Sequence, residues 1–554
     1  MCSGLRGIRY SSYCYRLFFR NYSVARCVSG ITASRVRSRL CFGVVTQRPL
    51  SSYASMAQSD GKRSLASGQM QESESNAAVG VPQPRLTKKR KVMPPSVQYR
   101  VRIQQAAKKH TIDDAFAAFE QAKAENVRLS PDCFVTLLFL AAGGDSWEEL
   151  VHCREKREEY LKTERLQKCD EILECLVSSG SPMVEMCYTA LARRDAILGR
   201  GSSALSLANQ VTEDTTLSQR LRCYLPALVS FTAAGDAMGA METYRNIMAA
   251  GLEPGEIEFQ KIIQALSNSD STDDITWETV ESLLLHMSRE TTQLTKETIS
   301  ELSRLFTSQR PPQPWTVETC SVHDDGFCEF CNDKLQAIDL TEEEYEQFSS
   351  GIASLAGKQA KQPEDFGTFV EWLKSHGPFG VIIDAANVAF YGQNFDTGGF
   401  NFGQIEAVVD RVRRDFPDLK PLVILHINRT KGHLANSQKA KALLTDLTEK
   451  NSFYAAPHGS NDDWYWMYAA VAAGQRGLLV SNDEMRDHLF NLLSPKYFDK
   501  WKQRHQMRYT FAGDVTTLEF QSPPPYTRCT QHLSNGCWMF PADDGTWLGA
   551  KIDG

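Results

Sequence analysis

Four aspartates in the C-terminal half of the chain have the side-chain type and spacing needed to bind divalent metal ions. Asp384 ends an apolar run, and Asp462 and Asp463 are adjacent. Asp483 closes a Ser-Asn-Asp string after another apolar run. Carboxylate oxygens suit Mg²⁺ or Mn²⁺, and two such ions about 4 Å apart can activate a water and stabilise the leaving oxygen of a phosphodiester. The aspartates therefore predict metal-dependent phosphodiester hydrolysis.

The segment that carries these aspartates alternates predicted strands and helices. Short connections between them indicate a parallel sheet in a three-layer α/β domain, in which ligands collect at the carboxyl ends of the strands. Each aspartate follows or ends a predicted strand, so all four should share one edge. Strands are predicted at 380–384, 421–426, 453–456 and 478–481, and helices at 404–416, 439–450, 462–473 and 484–492.

A structural role is the alternative for single aspartates, because Ser-Asn-Asp strings also cap helices, here at Asp462 and Asp483. Four acids at one edge are harder to explain by capping and favour a metal site. The sequence has no Walker loop or Gly-x-Gly-x-x-Gly string near them that would indicate nucleotide binding instead.

The segment 96–310 carries helix-length patterns that repeat. Tyr188, Tyr224 and Phe259 begin similar helices and are 36 and 35 residues apart, with an insertion around 144–164. A period near 35 residues predicts an α-solenoid of helix pairs. The period, and the Gly-x-x-Pro turn that begins at Gly251, resemble pentatricopeptide repeats, which bind single-stranded RNA. A tetratricopeptide-like solenoid that binds proteins, or an irregular helical bundle, fits the periodicity equally well.

A Cys-x-x-Cys pair, Cys328 and Cys331, follows the repeats, with Cys320 and His323 just upstream. Such a pair on a tight turn supplies half of a tetrahedral zinc site, whereas a redox dithiol would normally open a helix after a strand. Candidate partners lie near the C-terminus and would clamp two distant segments together. They are Cys529, His532 and Cys537, for which simple packing roles are the alternative.

The first 59 residues contain nine Arg and no Asp or Glu, together with many Ser. This composition predicts a mitochondrial transit peptide, with a disordered basic tail as the alternative. The basic run at 88–91 is typical of a nuclear address, a nucleic-acid patch or a solvated linker. The nucleus, which this basic run indicates, and the plastid are the alternative destinations.

Charge is distributed unevenly along the 554 residues. The first 95 residues hold 16 Lys and Arg against three acids, which leaves 45 basic and 64 acidic residues, a net charge of −19, in the rest. An acidic body would repel phosphate, so RNA binding should depend on metal ions and on a local basic surface. The apolar runs are shorter than the roughly 20 residues of a membrane span. Fifteen scattered Cys favour a reducing compartment.

Several long strings in the C-terminal half resemble the protein-only ribonuclease P family, whose members mature the 5′ ends of transfer RNA precursors. The resemblance covers about residues 315–541 closely and the repeats by architecture. The strings are His376-Gly377-Pro378-Phe379, Asp384-Ala385-Ala386-Asn387, the run 421–426, Gly459-Ser460-Asn461-Asp462-Asp463-Trp464-Tyr465-Trp466, the run 481–490 and Pro523-Pro524-Pro525-Tyr526.

The resemblance implies a function and a division into domains. It makes the four aspartates the Mg²⁺ ligands of an NYN/PIN-like nuclease domain that leaves a 5′-phosphate on the transfer RNA and a 3′-hydroxyl on the leader. The repeats would grip the precursor's elbow, and the expected enzyme is a monomer without an RNA subunit or a membrane. Asp487 and His488, which match a family string, are expected to support the site or to pack. The predicted parts are a targeting segment and linker at 1–95, repeats at 96–310, a zinc-binding connector at 311–364 plus 515–554, and the nuclease at 365–514.

Two other functions remain open from the sequence. A nuclease of the same fold could act on other RNAs, and a repeat protein with a degenerate nuclease domain could bind RNA without cleaving it. The presence of all four aspartates argues against the second of these.

The chain departs from the family pattern at two places. Family members usually have Gly where this chain has Ala385, which should cost little if the backbone φ there is negative. The family's C-terminal zinc ligands, a His after a Trp and a Cys after Trp-Leu, are replaced by Met539 and Gly549. We therefore predict a rearranged zinc site made of Cys328, Cys331, His532 and Cys537.

Overall fold

The computed structural model describes residues 93–269, 274–308, 310–359, 363–393, 399–432, 435–485, 495–512 and 517–552. The predicted targeting segment and the basic run at 88–91 lie outside these ranges. Within them, no helix combines the length and the apolar character that a membrane crossing requires.

Thirteen helices in the described residues form the N-terminal half. Most of them pack against the next helix or a helix a little further along the chain, which fits the predicted 35-residue period. The helices are α1 Pro95–Lys108, α2 Ile112–Ala124, α3 Pro131–Ala141, α4 Trp147–His152, α5 Arg154–Leu161, α6 Arg165–Ser178, α7 Glu185–Ile197, α8 Gly201–Glu213, α9 Leu225–Ala234, α10 Ala237–Ala249, α11 Glu256–Asn268, α12 Trp277–Glu290 and α13 Lys296–Thr307.

Two continuous apolar cores run through these helices, one through α1 to α3 with α6 and α7, the other from α7 to α13. Tyr224 and Phe259 are buried in the second core, and Tyr188 packs against it. The predicted insertion forms the short helices α4 and α5. Helix pairs are separated by turns such as that at Gly235, whose φ of 67° ends α9, and Asp236, which caps α10. The helical solenoid is therefore confirmed.

A six-stranded sheet forms the centre of the C-terminal α/β domain. Its strands are β4 Val381–Asp384, β5 Pro421–His426, β6 Phe453–Ala456, β7 Leu478–Val480, β8 Gln506–Phe511 and β9 Leu518–Gln521, in the order β6-β5-β4-β7-β8-β9. Neighbours from β6 to β8 are parallel, and β9 is antiparallel to β8.

Helices cover both faces of this sheet, which gives the predicted three layers. Val381 and Ile383 point into a core on one face, and Ile382 points into a core on the other. The first core includes α16 Ala385–Phe390, α17 Phe402–Asp415 and α18 Gln438–Glu449, and the second includes α14 Glu342–Gln359, α15 Pro363–His376, α19 Asp462–Ala472 and α20 Pro495–His505.

The structure extends this domain beyond the predicted bounds of 365–514. Strand β9 follows residue 514, and α14 packs into the domain's core although it precedes residue 365. The helix predicted at 484–492 does not begin at 484: Glu484 and Met485 are not helical, and Met485 has a left-handed φ of 54°. Most of that segment, including Asp487 and His488, is outside the described ranges.

A small module joins the two halves and is built from segments at both ends of the C-terminal region. Its main sheet is antiparallel, in the order β1-β12-β11-β10, and a hairpin of β2 and β3 lies against it. Leu294 of the solenoid exchanges two backbone hydrogen bonds with Pro541 and Asp543, which fixes the sheet to the solenoid. The strands are β1 Trp315–Cys320, β2 Phe327–Cys328, β3 Asp333–Lys334, β10 Gln531–His532, β11 Trp538–Pro541 and β12 Trp547–Ile552.

Candidate active site at the carboxyl edge of the sheet

The fold brings the four predicted aspartates to one edge of the six-stranded sheet. Asp384 is the last residue of β4, and Asp462 and Asp463 are the first two residues of α19, which follows β6. Asp483 comes three residues after the end of β7. Because these strands are parallel, their carboxyl ends meet at the same edge.

Asp384 is the most deeply placed of the four. Its side chain accepts hydrogen bonds from the Asn387 backbone N–H at 3.1 Å and from the Ser481 hydroxyl at 2.8 Å. Burial, reinforced by the charges of Asp463 and Asp462, raises the pKa of Asp384 to about 8 in spite of these two bonds. The charges of Asp462 and Asp463 in α19 therefore act on Asp384 at the end of β4.

The first turn of α19 presents Asp462 and Asp463 without using either as the helix cap. Asn461 is the cap, and its side-chain oxygen accepts from the Asp463 N–H at 3.2 Å. Burial and the charge of Asp463 raise the pKa of Asp462, while His426 opposes the rise. Capping therefore does not explain Asp462, and its carboxylate is held beside a second one.

Asp483 lies on a sharp turn after β7. Its N–H donates to the Ser481 hydroxyl at 3.1 Å, and its side chain accepts from the Met485 N–H at 2.8 Å. The Gln506 side-chain amide donates to the carbonyls of Ser481 and Asp483 at 2.7 and 2.9 Å. Ser481 thus links the backbone of one candidate ligand, Asp483, to the carboxylate of another, Asp384.

A second set of polar side chains fixes the loop after β4 to the loop after β7. The Asn387 side-chain oxygen accepts from the Asn482 N–H at 2.9 Å and from the Tyr509 hydroxyl at 2.6 Å. Asn482 in turn bonds the backbone of Tyr509 in both directions, at 2.8 and 3.1 Å. Sequence reasoning assigned no role to Ser481, Asn387, Gln506 or Tyr509, although the first two stand inside the strings that identified the acids.

A cleft lies beside Glu484, where the end of α20 and the segment after β9 face the loop between solenoid helices α12 and α13. Glu484, next to Asp483, accepts hydrogen bonds from Lys502 at 2.6 Å and Arg508 at 2.5 Å, and these bonds hold the pKa of Glu484 at about 2. Solenoid residues Thr292 and Gln293 line the opposite wall. The two cations are therefore partly neutralised where they face the cleft.

The donor set at the edge fits a hard divalent cation, since it consists of carboxylate oxygens whose mutual repulsion a cation would relieve. As they stand, the side chains are gathered at one edge but not around one point. In the described part of the chain, no group of three or more His, Cys, Asp or Glu side chains forms a ready-made metal site.

Comparison with known proteins decides the family. The family model "Protein-only RNase P" matches residues 322–550, and "Pentacotripeptide-repeat region of PRORP" matches residues 86–312. Proteinaceous RNase P 3 of Arabidopsis thaliana is 31% identical over 527 residues, 88% of this chain and 87% of the relative. The chain belongs to the protein-only ribonuclease P family.

Two further members of the protein-only ribonuclease P family match this chain over most of their lengths. Proteinaceous RNase P 1, chloroplastic/mitochondrial, of Arabidopsis thaliana is 28% identical over 491 residues, 82% of each chain. The crystal structure of nuclear proteinaceous RNase P 2 of Arabidopsis thaliana superimposes with a TM-score of 0.64 at 28% identity, and the match covers 83% of this chain and 100% of that one. The chain is therefore a ribonuclease P-type endoribonuclease, with pentatricopeptide repeats before its α/β domain.

The first departure from the protein-only ribonuclease P pattern, Ala385, meets the backbone condition on which a small cost was predicted. Ala385 is the first residue of α16 and is buried. It is absent from the residues with positive φ. The extra methyl group therefore meets no backbone strain.

The second departure concerns the zinc module, where the structure corrects one predicted ligand. Cys328, Cys331 and Cys537 share one buried cluster. His532 is exposed and lies on the opposite face of the sheet, stacked on Trp538 with ring centroids 4.3 Å apart. The prediction placed His532 and Cys537 on the same side of a turn. In the hairpin, however, His532 pairs with Trp538, so these two side chains share a face. Cys537 is next to Trp538 and therefore points to the other face.

Proposed function

We propose that this enzyme removes the 5′ leader from precursor transfer RNA by two-metal-ion hydrolysis, with Mg²⁺ or Mn²⁺ held by Asp384, Asp462, Asp463 and Asp483. Membership of the protein-only ribonuclease P family supports the substrate. The observation that carries the mechanism is the meeting of four carboxylates at one sheet edge. The match of residues 86–312 to the pentatricopeptide region of the family supports RNA binding by the repeats.

The bound ions would activate the attacking water and stabilise the leaving 3′ oxygen. The chain's own residues do the positioning. Asp384 is fixed by Ser481 and the Asn387 N–H, and Asp462 and Asp463 are held by the rigid first turn of α19. Because these groups are fixed before substrate arrives, little reorganisation is needed when the ions and the scissile phosphate bind.

The acidic edge makes RNA binding depend on divalent cations. Clustered carboxylates repel phosphate, and the adjacent Lys502 and Arg508 are already paired with Glu484. Affinity for precursor transfer RNA is therefore expected to rise with Mg²⁺, and the repeats supply the remaining contacts. The products are a 5′-phosphate on the transfer RNA and a 3′-hydroxyl on the leader, and the enzyme works as a monomer without an RNA subunit.

The test is cleavage of a 5′-extended transfer RNA precursor by the full chain with Mg²⁺. Asp462→Asn and Asp463→Asn should abolish cleavage at the mature 5′ end, whereas Asp418→Asn, at an exposed position, should cleave normally. Binding without cleavage by the unmodified chain would show a non-catalytic RNA-binding protein. Cleavage of unrelated RNAs at equal rates would show a nuclease of broader substrate range.

The destination of the protein is a separate proposal. The Arg-rich, acid-free first 59 residues support import into mitochondria, with plastid and nucleus as alternatives. A fusion of residues 1–59 to a fluorescent protein should localise to mitochondria, and diffuse fluorescence or nuclear accumulation would refute the proposed import.

A further inference from the structure

Four cysteine side chains from three separate segments meet on one face of the small module. Cys320 ends β1, Cys328 and Cys331 flank the turn of the hairpin, and Cys537 precedes β11. The Sγ atoms of Cys320 and Cys328 are 3.8 Å apart. The Cys331 thiol interacts with those of both Cys328 and Cys537. The four thiols therefore form a connected row.

One sulfur-to-sulfur distance in this row equals an edge of a tetrahedral zinc–thiolate site. Two sulfur atoms that are each about 2.3 Å from a tetrahedral zinc are about 3.8 Å apart. The separation of Cys320 and Cys328 equals that edge length. The outer thiols must swing toward the middle of the row to close a tetrahedron, and a change of one χ1 rotamer moves a cysteine Sγ by about 3 Å.

The register of the sheet explains why these thiols are on the same side. Cys320 pairs with Trp547, and Met539 pairs with Gly549, so these residues and Cys537 alternate onto one face. Trp547, Met539 and Cys537 accordingly share a buried cluster with the hairpin cysteines. The opposite face, which carries His532 and Trp538, packs toward the solenoid.

The two positions that hold zinc ligands in the family are filled by other groups here. Met539 is fully buried beside the thiols. A Cβ atom at Gly549 would lie 2.4 Å from the Phe330 ring, so no side chain fits there without displacing that ring. Phe330 stands between Cys328 and Cys331, so the ring that excludes a ligand from β12 also seats the hairpin on the sheet.

One cation and one amide support the segments that bear these thiols. Lys551 donates from its Nζ to the Phe330 carbonyl at 2.9 Å, and its charge acts on Cys537. Asn535 donates to the Cys331 carbonyl at 3.0 Å, which fixes the turn that bears that thiol. Groups that support the ligands are a regular part of structural zinc sites.

We propose that this chain binds one structural zinc ion through Cys320, Cys328, Cys331 and Cys537. The ion replaces the histidine-containing ligand set of the family with four thiolates and clamps β1, the hairpin and the C-terminal strands together. The site is on a different sheet from the nuclease edge, so its test does not depend on the proposed cleavage reaction.

The experiment measures zinc in the purified full chain by mass spectrometry, and zinc affinity by competition with a chelator. One zinc per chain is expected in the unmodified protein and in His532→Gln. A matched control is Cys529→Ser, which changes a buried thiol outside the row. Cys320→Ser and Cys537→Ser should weaken zinc binding by roughly 100-fold or more, since even supporting residues cost 10–100-fold.

A further variant keeps the test decisive if a serine variant fails to fold. Cys320→His retains four ligands and should retain zinc. In its Co²⁺-substituted form the thiolate-to-metal charge-transfer band should fall by about a quarter, because three thiolates replace four. Undiminished zinc affinity in Cys320→Ser, loss of zinc in His532→Gln, or no zinc in the unmodified chain would each overturn the proposal.

Discussion

Ser481 offers the sharpest test of how the catalytic edge is built. Its hydroxyl is fully buried, donates to the Asp384 carboxylate at 2.8 Å and accepts from the Asp483 N–H at 3.1 Å. Ser481→Ala removes both bonds and adds no bulk. If Asp384 is a metal ligand, the variant should bind Mg²⁺ more weakly without losing its fold.

The size of the effect follows from the bond that is lost. A hydrogen bond to a charged group contributes about 1.5–3 kcal/mol, and about 1.4 kcal/mol corresponds to a tenfold change in an equilibrium constant. The Mg²⁺ concentration for half-maximal cleavage should therefore rise by roughly 10–100-fold. The same range is typical when a residue that supports a metal ligand is removed.

The pH dependence has a definite sign. The pKa of Asp384 is about 8, raised mainly by burial, and the Ser481 bond lowers it. Removing that bond raises the pKa further, so protons compete more strongly with Mg²⁺. The loss of Mg²⁺ affinity in Ser481→Ala should be greatest below pH 8. It should become smaller at higher pH, where Asp384 is ionised both in the variant and in the unmodified enzyme.

The assay is single-turnover cleavage of a transfer RNA precursor over a range of Mg²⁺ concentrations at several pH values. The control is Ser437→Ala, which removes the N-terminal cap of α18 in the same domain, where the exposed Ser437 accepts from the Ala440 N–H at 3.2 Å. The control should lose about 1 kcal/mol of stability but keep the normal Mg²⁺ dependence. A half-saturating Mg²⁺ concentration in Ser481→Ala within twofold of the unmodified enzyme would refute this role.

Three further predictions concern other parts of the structure. Tyr509→Phe removes one of two hydrogen bonds to Asn387, and kcat should fall about tenfold with KM nearly unchanged; an unchanged kcat in steady-state assays would contradict this positioning role. Gly549→Ala should lower stability by about 1–3 kcal/mol in thermal unfolding, and adding Phe330→Ala should relieve the clash; equal Tm values for Gly549→Ala and the unmodified chain would contradict it. The pKa of Glu484 is about 2, below its ordinary 4.5, so its two ion pairs stabilise the fold above pH 4.5 and stop doing so as pH falls toward 2. Glu484→Gln should therefore cost at most about 1 kcal/mol at pH 7 in urea unfolding, after allowance for solvent screening, and the cost should shrink toward pH 2; a cost that does not change with pH would argue against the ion pairs.

The strand-helix alternation in the C-terminal half was predictable because its signals are local. Apolar runs of strand length with short polar connections identify β4 to β7, and their bounds in the structure differ from prediction by at most one residue. The solenoid was predictable for a similar reason, because each repeat carries its own amphipathic helices. Strands β8 and β9 were missed, because each is recognised by its pairing with a neighbouring strand and not by an apolar run of its own.

The four aspartates illustrate what the sequence by itself determined. Parallel strands send their carboxyl ends to one edge whatever the details of packing, so the position of each acid after a strand was enough to group them. The groups that orient them could not be predicted in the same way. Ser481, Gln506 and Tyr509 act through bonds to residues on other strands, and no local pattern distinguishes them from other polar residues.

The small module with the cysteines shows what the sequence could not determine. The sequence determined that Cys328 and Cys331 form a pair, because two residues between cysteines set the geometry of a turn. The remaining thiols depend on which face of a strand each residue occupies, and a shift of one residue reverses that face. Only the tertiary structure brings Cys320 to within 3.8 Å of Cys328 and sends His532 to the opposite side, because strand register is decided by pairing and packing across the whole sheet.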